Sequence, residues 1–229
     1  GSTNFDGSIL SVSNPNTTAG FSIVTFTGTG SNATVGHGLS VAPTMIIFKN
    51  RDNSYSWSTY VKEIGASNRL NLEETTASSS SSTSFNSTDP TNSVFSVGTN
   101  VSTNKSGDKI IAYCFHSVEG YSKIGGSYTG NGSTDGTFVF TGFRPAWIIF
   151  KATNATQNWF IFDSTRDTFN VAKRRQVVNA SSVESDTVDA VDFLSNGFKL
   201  RTNNNAFNGS YNYIYMAFAE VPFKYANGR

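Results

Sequence analysis

The chain is poor in the residues that most chemistries need. It has a single cysteine, Cys114, among 229 residues, so no disulfide can close within it. Cys114 lies in the apolar run 110–115 and reads as a buried structural thiol. Charged residues make up only 14%, with a formal net charge of +1, and nucleic-acid binding would need a basic stripe. No apolar run approaches the roughly 18 residues of a membrane-spanning helix. The N-terminus lacks the basic start and apolar stretch of a signal peptide.

Catalytic side chains are equally sparse. Of the two histidines, His37 is flanked by glycines and His116 closes an apolar run. Neither recurs in the internal repeat described below, and both read as structural rather than as the base of a nucleophilic site. The acids are scattered. Glu73 and Glu74 are adjacent, so on a strand they point to opposite faces and cannot act as the facing pair of a glycosidase. No His/Cys cluster suits zinc. The best calcium candidate, loop 131–136, lacks the Asp-x-Asp spacing and reads as a turn. No cofactor is expected. The triplet Lys173-Arg174-Arg175 reads as a solvated face, with an anionic glycan or lipopolysaccharide phosphate as its functional alternative.

What the chain does have is aromatics (14%, including 19 Phe) and a repeat. Thr27-Gly28-Thr29-Gly30-Ser31 and Ala42-Pro43-Thr44-Met45-Ile46-Ile47-Phe48-Lys49 return as Thr129-Gly130-Asn131-Gly132-Ser133 and Arg144-Pro145-Ala146-Trp147-Ile148-Ile149-Phe150-Lys151, at an offset of 102 residues. Trp57 and Trp159 keep that offset, and Phe95/Phe198 and Phe115/Phe218 drift by one. A period near one hundred residues exceeds that of solenoids and propeller blades and matches a small β-sandwich.

Within each copy, period-2 runs rich in β-branched and aromatic residues alternate with Gly, Asn and Ser clusters. Ser195-Asn196-Gly197 is the strongest hairpin signal. The best helical stretch, 170–176, is short, and the serine run 78–84 reads as a solvated loop. The expectation is an all-β protein of two tandem homologous antiparallel β-sandwich modules, jelly-roll or lectin-like. Residues 1–19 form an added strand or arm, 20–120 the first repeat and 121–229 the second. The paired Trp57 and Trp159 are expected in the cores. Pro222-Phe223-Lys224-Tyr225 reads like the opening of a third copy, a tail that would add a strand edge or dock on a neighbour.

Several blocks together carry a family resemblance: Gly20-Phe21-Ser22-Ile23-Val24, the stretch 27–39 with Ala42-Pro43, Ile111-Ala112-Tyr113-Cys114-Phe115, Thr141-Gly142-Phe143-Arg144-Pro145-Ala146-Trp147, the stretch 192–201, and Met216-Ala217-Phe218-Ala219-Glu220. In this order, over about residues 20–229, they resemble a C-terminal domain of uncharacterised function found in virion proteins of tailed bacteriophages. The resemblance implies a virion part, such as a tail fibre or host-contact protein, exposed on the particle surface. It assigns no site residues.

The resulting expectation is a non-enzymatic virion module that binds host-surface glycan through loops at one end of a rigid sandwich. The loop aromatics that are not shared between the copies, Tyr55 and Tyr211, are the candidate contacts. The alternative is a purely structural role as a capsid decoration or fibre oligomerisation module. Expected partners are further copies of the chain, with a trimer favoured, other virion proteins and the glycan. A depolymerase would need converging acids that the sequence does not display.

Overall fold

The computed structural model describes residues 1–220; the proposed tail at Pro222–Tyr225 lies outside them. The chain forms two compact units. Among the described residues, unit 1 comprises 1–73 and 78–116, and unit 2 comprises 117–220 together with the four-residue segment Glu74–Ala77.

Unit 1 contains β1 (Ser2–Asn4), β2 (Ser11–Asn16), β3 (Phe21–Thr27), β4 (Ala33–Gly36), β5 (Met45–Asn50), β6 (Ser58–Val61), β7 (Asn68–Asn71), β8 (Ser79–Ser80), β9 (Val94–Val97), the single helical turn α1 (Val101–Asn104) and β10 (Lys109–Phe115). Eight strands form one sheet in the order β1-β2-β3-β10-β5-β6-β7-β8, and β4 pairs with β9 in a second. The strands owe their place to alternation. In β3, Ser22, Val24 and Phe26 are buried, while Phe21, Ile23 and Thr25 are less so. Val24, Phe26, Ile46, Phe48, Ile110, Ala112 and Cys114 of the large sheet form one core with Val35, Phe95 and Val97 of the small one.

Unit 2 repeats the plan with β11 (Ser122–Thr129), β12 (Phe138–Phe140), β13 (Pro145–Ala152), β14 (Phe160–Asp163), β15 (Gln176–Val177), β16 (Val191–Leu194), β17 (Gly197–Leu200) and β18 (Asn212–Ala219). Its large sheet runs β11-β18-β13-β14-β15, the order of β3-β10-β5-β6-β7, and its small sheet runs β12-β17-β16. The core again lies between them: Tyr128, Ile148, Phe150, Phe162, Tyr213, Tyr215 and Ala217 meet Val139, Val191, Phe193, Phe198 and Leu200. Both units are antiparallel β-sandwiches, as the repeat and the alternation imply.

Several local expectations need correction. Residues 170–176 are not helical; Ala172 bridges Val191, and β15 begins at Gln176. Trp159 is fully buried, but Trp57 is only half-buried, beneath the Lys49 ammonium at 5.7 Å from its ring centroid. The serine run is not all loop, because Ser79 and Ser80 form β8 against β7, and Ser84 is fully buried. The repeat offset is also not constant. Val35 opposes Phe95 and Val139 opposes Phe198, so β4 and β12 correspond at 104 residues and β9 and β17 at 103, rather than 102. At the β4/β12 offset His37 corresponds to Thr141.

Residues 1–19 contribute two strands. β2 pairs with β3 along Ser11–Asn16, β1 pairs with β2, and Ile9 forms a bridge with Val35 of the small sheet. Pro15 sits where β1 no longer pairs with β2, one of the few places in a sheet where a missing N–H costs nothing.

Candidate functional site

The residues shared by the copies hold the fold together. In unit 1, Asn104 is fully buried, and its Oδ1 accepts from Thr29 N at 2.8 Å. Its Nδ2 donates to Ser31 O and Gly98 O, each at 2.7 Å, and Gly30 N donates to its carbonyl. In unit 2, Asn208 does the same. It is fully buried, accepts from Asn131 N at 3.1 Å, donates to Ser133 O and Thr202 O at 2.8 and 2.9 Å, and receives Gly132 N. An asparagine before the last strand thus staples each Thr-Gly-x-Gly-Ser loop. The first glycine allows the close approach, since a Cβ at Gly28 would lie 2.2 Å from Lys105 O and one at Gly130 2.0 Å from Gly209 O. The second supplies a positive φ, +71° at Gly30 and +65° at Gly132. The repeated motif is structural, so binding has to be sought where the copies differ.

The clearest difference lies at the end of unit 1 where β5 turns into β6. There Tyr55 has a half-buried ring, with the Lys105 ammonium 5.5 Å from its centroid. Lys105 pairs with Asp108 at 3.3 Å, and Asp108 accepts from Asn50 Nδ2 at 2.8 Å and Asn53 Nδ2 at 2.6 Å. The corner therefore presents an aromatic face, an amide, a carboxylate and an ammonium together. The Asn50 amide, with Asn53 and Lys105 outweighing some desolvation, holds the Asp108 carboxyl below its usual range.

The loop carrying Tyr55 is pinned along its length. Asn50 Oδ1 accepts from Asp52 N and Asn53 N, Lys49 Nζ donates to Tyr55 O, and Trp57 N donates to Glu73 Oε2. A loop held this way lets its outer side chains meet a ligand without a large ordering cost. The matching loop of unit 2 is closed instead. Thr75, from the segment that joins unit 2, accepts through its carbonyl from Gln157 N at 2.9 Å and from the Nζ of the fully buried Lys151 at 3.2 Å. Burial lowers the Lys151 pKa to about 8.

Tyr211, the other loop aromatic, lies in unit 2 just before β18. Its ring is half-buried and packs against the core cluster, and no carboxylate or ammonium contact to it is seen among the described residues. Two of the three basic side chains are ion-paired: Lys173 pairs with Asp189 at 2.8 Å and Arg174 lies 3.9 Å from Glu184, while Arg175 stacks over Phe207. A shallow cleft of about 410 Å³ beside loop 131–136 is lined by Thr134, Asp135, Val171, Asp189 and Arg201. Its carboxylates are already engaged, Asp135 with Lys199 and Asp189 with Lys173. No group of three or more His, Cys, Asp or Glu poised for a metal occurs among the described residues.

His37 is fully buried. Its Nε2–H donates to Thr91 O at 3.1 Å, and its Nδ1 accepts from Leu39 N at 3.1 Å, which together define a neutral tautomer. Burial pushes its pKa below the usual 6.5, with the Thr91 carbonyl opposing in part. The unfolded chain therefore binds a proton that the folded one refuses, and stability falls as pH drops below about 6.5 until the folded form also protonates. Urea unfolding at pH 7.5 and pH 5 checks this. The His37→Gln variant should lose part of the pH dependence seen in the parent.

Over residues 1–222 the chain matches the model of DUF7483, a domain of unknown function, and it belongs to that family. The match spans both repeats and the N-terminal arm, so the pair of sandwiches is the unit the family shares. Comparisons with curated proteins and with solved structures find no match.

Proposed function

We propose that this chain is a non-enzymatic recognition module of a virion host-contact protein, and that it binds host-surface glycan at the Tyr55 corner of unit 1. One observation carries the reading: Tyr55, Asn53, Lys105 and Asp108 converge on pinned loops at one end of a sandwich. An aromatic ring offers the apolar face of a sugar a surface to stack on. The amide, carboxylate and ammonium around it provide directional partners for hydroxyl groups. The virion setting rests on the resemblance of the repeated blocks to phage virion domains. A second reading, a purely structural virion protein, is favoured by the exposed Phe138 and Phe140.

A glycan-array screen followed by titration calorimetry tests the proposal. Tyr55→Ala should weaken binding more than about tenfold, a loss of roughly 1.4 kcal/mol. Tyr55→Phe should retain most of it, and Asp108→Asn should weaken it. Tyr211→Ala should leave binding intact while lowering the stability of unit 2. Binding that survives Tyr55→Ala unchanged, or the absence of any glycan ligand, would overturn the reading.

A further inference from the structure

Each unit has a small sheet whose first strand has an outer edge, and the two edges are treated differently. In unit 1 that strand is β4, and the N-terminal arm covers it. Ile9 N donates to Thr34 O at 3.0 Å, Ser8 N donates to Thr34 Oγ1, Thr34 N donates to Ser8 Oγ, and Ser11 Oγ donates to Gly36 O. In unit 2 the strand is β12. The residues that match Thr34 and Gly36 about the Val35/Val139 equivalence are Phe138 and Phe140.

No strand among the described residues pairs with the outer edge of β12. The ladder bonds Leu200 N to Thr137 O and Thr141 N to Asn196 O set the alternation, so the Phe138 N–H and C=O point away from β17. Phe140 O has the Tyr215 hydroxyl at 3.5 Å. The phenyl rings of Phe138 and Phe140 stand 43% and 65% exposed, two residues apart on one face. An unpaired edge beneath two exposed phenyl rings is a surface that folded chains normally cover.

The chain also carries a matching apolar surface. Phe5, Leu10 and Val12, on and beside the arm, are 78%, 59% and 45% exposed. The adjoining β1 is itself the end strand of its sheet. Of the nine large hydrophobic side chains found exposed among the described residues, five belong to these two places. A strand edge beside apolar side chains is met by another strand that carries its own, so protein is the fitting occupant.

We infer that the β12 edge is an assembly surface that receives the β1–β2 face of a second copy of this chain. Phe5 and Leu10 of the incoming copy pack on Phe138 and Phe140, and its strand edge meets the free Phe138 backbone groups. The arm cannot leave its own unit and reseat on β12 as it sits on β4, because Asn4 abuts Gly36 so closely that a Cβ there would lie 1.8 Å from its Oδ1, and unit 2 has Phe140 at that place. The contact therefore joins the outward face of a docked arm to the edge of the next copy. It is heterologous, and it builds rings or open chains rather than isologous dimers. This inference does not depend on the glycan reading.

Analytical ultracentrifugation of the full chain from about 1 to 200 μM tests it, with two double variants, Phe5→Asp with Leu10→Asp and Phe138→Asp with Phe140→Asp. All four positions are exposed, so the variants should keep the melting temperature of the parent. The parent should associate, and each variant should need at least tenfold more protein to do so. The decisive arm is the mixture. One variant retains a sound edge and the other a sound arm, so together they should form a one-to-one dimer and nothing larger. A parent that stays monomeric throughout, an association that neither variant weakens, or monomeric variants that fail to pair when mixed would each overturn the inference.

Discussion

Replacing Asn208 by alanine should cost unit 2 about 3–5 kcal/mol. The side chain is fully buried and serves the Asn131 N–H and the carbonyls of Ser133 and Thr202. Alanine removes all of these partners at once. Each buried backbone group left unsatisfied costs about 1–3 kcal/mol, and a water admitted to the gap recovers only part of it. Differential scanning calorimetry should show the transition of unit 2 moving down by more than about 10 °C. The Asn104→Ala variant should do the same to unit 1, whose loop is stapled in the same manner. Asn208→Asp is the discriminating control, since when protonated it keeps the acceptor for Asn131 N and has one O–H donor in place of the two N–H donors. It should fall between the parent and the alanine variant at a pH where the aspartate is protonated.

Gly130→Ala should destabilise unit 2 by about 2–4 kcal/mol, although alanine is the smallest change available. The added Cβ would lie 2.0 Å from Gly209 O and 2.7 Å from the Asn208 carbonyl carbon. Both are backbone atoms, so no rotamer change relieves the clash, and the loop must lift off Asn208. Denaturant titration should show a lower midpoint with little change in slope. Because the substitution and Asn208→Ala break the same contact, the double variant should cost clearly less than the two single effects added together. Strict additivity would mean that the loop and the staple act separately. Gly132→Ala should be milder, since only a positive φ is strained there and the site is otherwise roomy.

These two positions show how the sequence carried its structural content. The Thr-Gly-x-Gly-Ser motif was visible as a repeat, and its conservation between the copies marked it as something the module needs. Its partner was harder to see. Asn104 and Asn208 recur at an offset of 104 rather than 102, so an ungapped comparison of the copies passes over them. Strand positions were legible because alternation is a local property, and β3, β10, β14 and β16 all show it, while β13 and β18 read as apolar runs buried along most of their length. Short elements that depend on distant partners were not. Helix α1 is one turn, too short for a period, and β15 is two residues set by its pairing with β14. The stretch 170–176 carried a weak helical pattern that the bridge between Ala172 and Val191 overrides.

The candidate site was half legible. Tyr55 stood out as a loop aromatic without a counterpart in the second copy, but its companions Lys105 and Asp108 lie 50 and 53 residues further along the chain, and only the folded loop end brings them together. Tyr211 had the same credentials in sequence and differs because its ring packs on the core. Phe138 and Phe140 gave no signal of their own, since an alternating Phe-Val-Phe reads equally well with the rings inside. Val139 is the buried residue because it opposes Phe198, and that one-residue choice of register turns both rings outward.

Composition, alternation and the internal repeat by themselves determined an all-β chain of two like sandwiches, because each is written in residues close together in sequence. The tertiary structure decided what the two copies do differently. It laid the N-terminal arm along β4 and left the outer edge of β12 without a partner strand among the described residues, and it drew Thr75 onto the loop of unit 2. Those outcomes are made largely by backbone groups meeting across long separations. A carbonyl or an N–H is the same in every residue, so which of them pair, and which remain free, is a consequence of the fold.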